Sequence, residues 1–237
     1  MHASPEAAVR SLADYLVGQA RQAVQQRGRF VWALAGGSSP RRLYELLASA
    51  EFRNRIDWAA GYFFFGDERY VPHTSPDSNY RLARTTLLEP LGIAADHVFP
   101  VDTALPPAAA AQAYTEALQA FFGPPPMQFD LVLLGLGDNA HTASLFPHTP
   151  VLNEQVAGAR EVYLPEQQVY RITLTAPLIN QANQVAFLVY GAEKAAAVRQ
   201  VLRGENDPAQ YPAQLVAPAQ PAEWFLDQAA AAELATS

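Results

Sequence analysis

The chain predicts an α/β fold with a mainly parallel sheet covered by helices on both faces, and three observations carry that expectation. Consecutive apolar residues recur in short runs, FVWALA at 30–35, YFFF at 62–65 and LVLL at 131–134. Runs without polar alternation belong to strands buried on both faces. Segments of helical spacing separate these runs, so strands and helices alternate as in βαβ units. Glycines close the runs, at Gly36, Gly66 and Gly135. The residues after each glycine then lie at the carboxyl edge of the sheet, where open α/β sheets bind ligands.

Taken in order, Ser4, Pro5 and Glu6 read as an N-cap, a proline at the first helical position and an early acid. Val9, Leu12, Leu16, Ala20 and Val24 continue at helical spacing to a stop near Gly28. The strand at 30–35 runs into Gly36-Gly37-Ser38-Ser39-Pro40 and a helix through Leu43, Leu46 and Leu47. Strand, glycines, hydroxyls and helix start form the layout of an anion site, because free N–H groups and the helix dipole favour negative charge. An ordinary turn capped by Ser39 is the equal alternative.

The strand at 62–65 is followed directly by Asp67, Glu68 and Arg69, three charges that are costly at a strand end unless solvated or used. Asp77 or Ser78 caps a helix containing Tyr80, Leu82, Leu87 and Leu88. A proline-rich connection spans 90–107. A helix at 108–122 then carries Tyr114, Leu118, Phe121 and Phe122 on one face. After the strand at 131–134 come Gly135, Gly137, Asp138, Asn139 and His141, then a segment expected to start a helix in which Ser144 packs or caps locally.

Residues 161–164 and 170–173 read as two short strands or one interrupted strand. Arg171 is unusual among β-branched apolar neighbours; either it reaches outward to solvent or it clamps an anion. A strand at 184–190 leads through Gly191 to a helix that Lys194 begins, against the dipole. A loop at 206–212, a short strand at 213–216 and a closing helix at 221–234 complete the chain. No repeat or linker divides it, so one domain over 1–237 is expected.

Composition narrows the chemistry. The 237 residues include no cysteine, which excludes disulfides, thiolate metal sites and cysteine nucleophiles. A formal charge of −7 argues against nucleic acid or an anionic membrane as the main partner. A small anionic ligand, needing only local cations and N–H groups, stays compatible with it. The N-terminus lacks the layout of a signal peptide, and no apolar run approaches the ~18 residues of a membrane span. A soluble cytoplasmic protein is the expectation.

His141, held after a buried strand by a glycine-flanked turn, is a candidate base or acid. Residues 135–140 also fit the dinucleotide fingerprint G-x-G-x-x-A, but no strand ends in an acid about 20 residues later, as the ribose contact requires. No G-x-S-x-G elbow supports Ser144 as a nucleophile. His73, His141 and His148 have no metal-ligand spacing such as H-E-x-x-H.

Six motifs in order carry a family resemblance: ALAGGSSP (33–40), GDERYVP (66–72), SNYRLA (78–83), LGLGDNAHTASLFP (134–147), RITLT (171–175) and GAEKA (191–195). Together they resemble the glucosamine-6-phosphate isomerase/6-phosphogluconolactonase superfamily, nearly end to end and most closely on its lactonase side. The resemblance implies a modified Rossmann-type α/β fold and cofactor-free hydrolysis of 6-phospho-D-glucono-1,5-lactone, a step of the oxidative pentose phosphate pathway. By position it makes His141 the catalytic base. Gly36, Gly37, Ser38, Arg171 and Lys194 would hold the phosphate or the sugar, and Asp67 and Arg69 would line the pocket.

Two positions depart from the pattern: Asn139 and Ala140 stand where the family commonly reads Asp-Gly. Asn139 supplies no carboxylate to the imidazole, so either Asp138 takes that role or an amide hydrogen bond suffices. Ala140 asks more of the backbone if the position needs φ > 0. Related deaminases carry A-F-N-E-P after the histidine, whereas Ala143-Ser144-Leu145-Phe146-Pro147 has no acid there. Related sensor proteins add a DNA-binding helix-turn-helix, whereas here the fold is expected to occupy the whole of the given sequence and the charge is acidic.

Overall fold

The computed structural model describes residues 1–234. Helix α1 (Pro5–Arg27) starts at Ser4, whose hydroxyl accepts the Ala7 N–H, and stops at Gly28 in the left-handed region. Strand β1 (Phe30–Leu34), helix α2 (Ser38–Ala48) and strand β2 (Gly61–Phe65) follow. Strand β3 (Asp67–Arg69) leads to α3 (Asn79–Ala83), capped by Ser78, which runs into a π-helical turn at Arg84–Leu88. Helix α4 (Pro107–Phe122) precedes β4 (Leu131–Leu134). Strands β5 (Ala159–Leu164) and β6 (Val169–Leu174) pair antiparallel, which settles the two-strand reading of that region. Helix α5 (Ala176–Ile179), β7 (Val185–Val189), α6 (Ala195–Arg203) and β8 (Glu223–Leu226) complete the chain.

The main sheet is parallel throughout, in the order β2-β1-β4-β7-β8. Its apolar runs feed two cores alternately. Phe30, Trp32 and Leu34 of β1 pack towards α1 and α2, while Val31 and Ala33 face the core shared with α4, α6 and the second sheet. That second sheet is antiparallel, in the order β3-β6-β5. Counting only the strands of the main sheet, the spatial order is second, first, third, fourth, fifth. The direction of growth therefore reverses between β1 and β4, and the crevice outside their carboxyl ends is where such sheets take ligands.

Three expectations are corrected. No helix follows β4: residues 135–149 form turns around a Thr142–Leu145 bridge, so Ser144 is a loop residue. Residues 213–216 are not a strand. A 3-10 turn occupies Pro212–Leu215, where Pro212 has no N–H for a ladder and Asn180 Nδ2 donates to the Leu215 carbonyl. The closing helix is absent as well; β8 extends the sheet instead, with Trp224 stacked on Phe187 at 4.0 Å, and a 3-10 turn at Ala232–Leu234 ends it. Burial beside β7 outweighs the helical preference of the alanines after β8.

Candidate active site

A cleft of about 370 Å³ opens at the reversal point, between the loops that leave β1 and β4, within the size range of small-molecule sites. Gly36, Gly37, Ser38, Asp67, Arg69, His141, Arg171 and Lys194 all line it. The structure thus gathers the expected residues from five separate stretches of chain.

On the β1 side, Gly37 is the N-cap of α2, with φ 99° and no side-chain cap; Ser39 does not take that place. The first-turn N–H groups are left for other acceptors. Gly36 is required by close approach, since a Cβ there would lie 1.8 Å from Asn79 Oδ1.

On the β4 side, the Gly137 carbonyl accepts the Ala140 N–H (3.1 Å) and the Gly137 N–H donates to the His141 carbonyl (2.8 Å), closing a tight turn. Ala140 does adopt φ 61°, a conformation that favours glycine. Asn139 Oδ1 lies 2.6 Å from His141 Nδ1 and 3.2 Å from the His141 backbone N–H. An atom facing a backbone donor is an oxygen, so Nδ1 carries the proton and Nε2 keeps its lone pair. The partner of the ring is therefore the amide. The Asp138 carboxylate accepts the Asn139 N–H at 3.0 Å instead. Phe146 stacks on the imidazole at 4.1 Å, and a Cβ on Gly137 would collide with Nδ1 at 2.0 Å.

Burial holds the His141 pKa below the ordinary histidine value. Asp67 opposes that shift most, Lys194 and Arg171 add to it, and Asp138 works with Asp67. His141 is consequently neutral and basic at neutral pH.

Arg69 and Arg171 are direct cross-strand partners in the β3–β6 ladder. Like charges so placed repel. Burial, then Arg69, lowers the Arg171 pKa. Arg69 donates to the Asp77 carbonyl (2.7 Å) and Arg171 to Gln167 (3.3 Å), so neither guanidinium has a carboxylate partner among the described residues. Lys194 stands at the start of α6, after a 3-10 turn at Ala192–Lys194, and makes no ion pair among the described residues. Three cations with no ion-pair partner among the described residues suit a dianion.

Two residues with a part in this geometry, Glu68 and Asp227, are given no role by the sequence. Glu68 is fully buried and accepts the N–H groups of Arg69, Asn79 and Tyr80 and the Ser78 hydroxyl at 2.7–3.0 Å. It is the anion at the start of α3, and burial raises its pKa against those bonds. Asp227 accepts the Gly191 N–H (3.2 Å) and so fixes the turn that carries Lys194. Both lie inside charged or aromatic motifs, but only their burial marks them as structural. The dinucleotide alternative loses its footing, because no helix starts after Ala140 to receive a pyrophosphate.

The family model described as glucosamine-6-phosphate isomerases/6-phosphogluconolactonase matches residues 3–225. The 6-phosphogluconolactonase of Nostoc sp. is 43% identical over 225 residues, covering 93% of this chain and 91% of that protein. The one from Rattus norvegicus is 40% identical over 238 residues, covering 96% and 90%. Among solved structures, the 6-phosphogluconolactonase from Trypanosoma brucei superposes with a TM-score of 0.87 at 33% identity, covering 99% and 97% of the two chains.

Proposed function

The chain belongs to the glucosamine-6-phosphate isomerase/6-phosphogluconolactonase family, and on that premise we propose that it hydrolyses 6-phospho-D-glucono-1,5-lactone to 6-phosphogluconate with His141 as general base. The observation that carries this is the setting of the His141 ring: Asn139 Oδ1 faces both Nδ1 and the His141 backbone N–H, and Nε2 stands unbonded among the described residues at a cleft rich in cations.

A lactone is an activated ester, so a positioned base and donors for the developing oxyanion are sufficient. His141 Nε2 takes a proton from water as the water oxygen bonds to the lactone carbonyl carbon. The tetrahedral adduct then collapses, the bond from that carbon to the ring oxygen breaks, and the imidazolium returns the proton to the departing oxygen. Arg69, Arg171, Lys194 and the N–H groups at Gly36, Gly37 and Ser38 hold the phosphate and orient the ring, which converts phosphate binding into positioning. With this goes a cytoplasmic enzyme of one domain over 1–237 that acts on a small phosphorylated lactone. The acidic charge supports the absence of a nucleic-acid partner.

The test is hydrolysis of freshly generated lactone, with the spontaneous rate subtracted. His141→Ala is expected to lower the enzymatic rate by about 10²–10⁴; a rate like wild type would remove His141 from the chemistry. In the same assay Arg171→Ala is expected to raise KM more than it lowers kcat, the mark of lost uniform binding. An unchanged KM would put the phosphate elsewhere.

A further inference from the structure

We propose that Asp67 is the carboxylate that balances the charge His141 acquires during turnover, and that Ser144 and Asn79 are the positioning residues that hold it in place. The inference rests on His141 being the base, and goes beyond it by assigning the counter-charge to a different element of the fold.

The histidine's own loop supplies no such partner. The side chain on Nδ1 is a neutral amide, and Asp138 is turned to the Asn139 N–H. From the other elements packed around the imidazole, Lys194 before α6 and Arg171 on β6 bring positive charge, which disfavours an imidazolium. Arg69, opposite Arg171, adds to that field. Asp67 on β3 lines the same cleft as His141, is bonded to Ser144 of the His141 loop, and is the negative group that acts most strongly on the imidazole.

The hydrogen bonds around Asp67 have a direction that suits this task. Ser144 is 1% exposed, and its hydroxyl donates to Asp67 Oδ2 at 2.6 Å. Its own N–H donates to Thr173 Oγ1 at 3.2 Å, which fixes its place against β6. Asn79, 2% exposed, donates through Nδ2 to Asp67 Oδ1 at 3.1 Å and to the Asp67 carbonyl at 2.9 Å. Both carboxylate oxygens thus accept from neutral donors, which fix the orientation of the group. No cation is bonded to the carboxylate among the described residues; its charge acts on Arg171 as well as on the imidazole. Ser144 lies three residues after His141 in one bridged loop. One segment therefore presents the base to the cleft and grips the carboxylate.

The experiment is the pH profile of kcat/KM, together with an NMR titration of the His141 ring, for wild type, Asp67→Asn, Ser144→Ala and Asp67→Asn/Asn139→Asp. Asp67→Asn keeps the shape of the side chain and removes the charge. Its acidic limb and the ring titration are expected to move to lower pH, with kcat down by about tenfold or more, the scale of a charge-assisted contact. Asn139→Asp in that background is expected to return both readouts towards wild type, because a carboxylate is restored to the ring from the other side. Ser144→Ala is expected to lower kcat severalfold with KM held, and it serves as the second probe if Asp67→Asn does not fold. A ring titration that stays put in Asp67→Asn, or a double variant with no recovery, overturns the inference. The ring titration reads the charge without turnover, so an active His141→Ala would sink the base assignment separately.

Discussion

The two loops that form the cleft begin alike and end differently. Each leaves a buried parallel strand of the main sheet, and each opens with glycines. After β1 the chain turns through Gly37 and enters α2 at once. After β4 it makes no helix; the positive φ values fall on Ala140, Ala143 and His148, none of them glycine. Such residues cost on the order of 1–3 kcal/mol each when strained, and the surroundings must hold them. Here the Ala140 carbonyl accepts the Ala213 N–H, the His148 N–H donates to the Ala209 carbonyl, and Ser144 is tied to Asp67. The first loop is made by its own sequence, whereas the second is made by distant parts of the molecule. An anion cradle of backbone N–H groups can be local, but aiming one imidazole takes bracing from several sides.

Substitutions at matched positions sharpen that contrast. The largest effect is expected for Gly137→Ala, whose Cβ would occupy the place of the His141 ring. Displacing a catalytic group by about 1 Å costs roughly 10²-fold in rate, so kcat is expected to fall at least that far while melting temperature changes little. Full activity would show that the imidazole is not held where the turn sets it. Gly36→Ala comes next. Its Cβ would strike the Asn79 amide, and overpacking of this kind costs about 1–3 kcal/mol. Denaturant unfolding is expected to show that loss, with a fall in kcat as Asn79 lets go of Asp67. The smallest effect runs the other way: Ala140→Gly relieves a left-handed alanine that costs roughly 1–2 kcal/mol, offset in part by the greater freedom of glycine in the unfolded chain. A slight gain in midpoint with kcat retained is expected; a loss would mean that the buried methyl outweighs the strain.

The same contrast explains what could be seen in the sequence. Ser4 and Gly28 mark α1, and three apolar runs mark β1, β2 and β4, because caps and continuous burial are local signals. The glycine loop before α2 and the strand-end position of His141 were legible for the same reason. The loop at 135–149 looked able to start a helix because its left-handed residues are alanine and histidine, which carry no turn signature. Strand β8 was hidden by the alanines after it, since its reason for being extended is the edge of β7. Arg171 stood out as odd, yet its pairing with Arg69 depends on a three-residue strand that only the tertiary structure defines. Glu68 and Ser144 carry ordinary surface chemistry in the sequence and are buried in the fold.

The bracing of the His141 loop also sets an order of events in folding. Residues 140 and 148 meet 213 and 209 across a long stretch of chain that includes β5, β6, β7 and α6. Closing so long a loop is entropically slow, and its contacts add nothing until the ends have met. Helices and the first sheet pairings can form earlier, from neighbours in sequence. A refolding chain should therefore regain its far-ultraviolet dichroism before it regains turnover, with the His141 loop as the last part of the molecule to set.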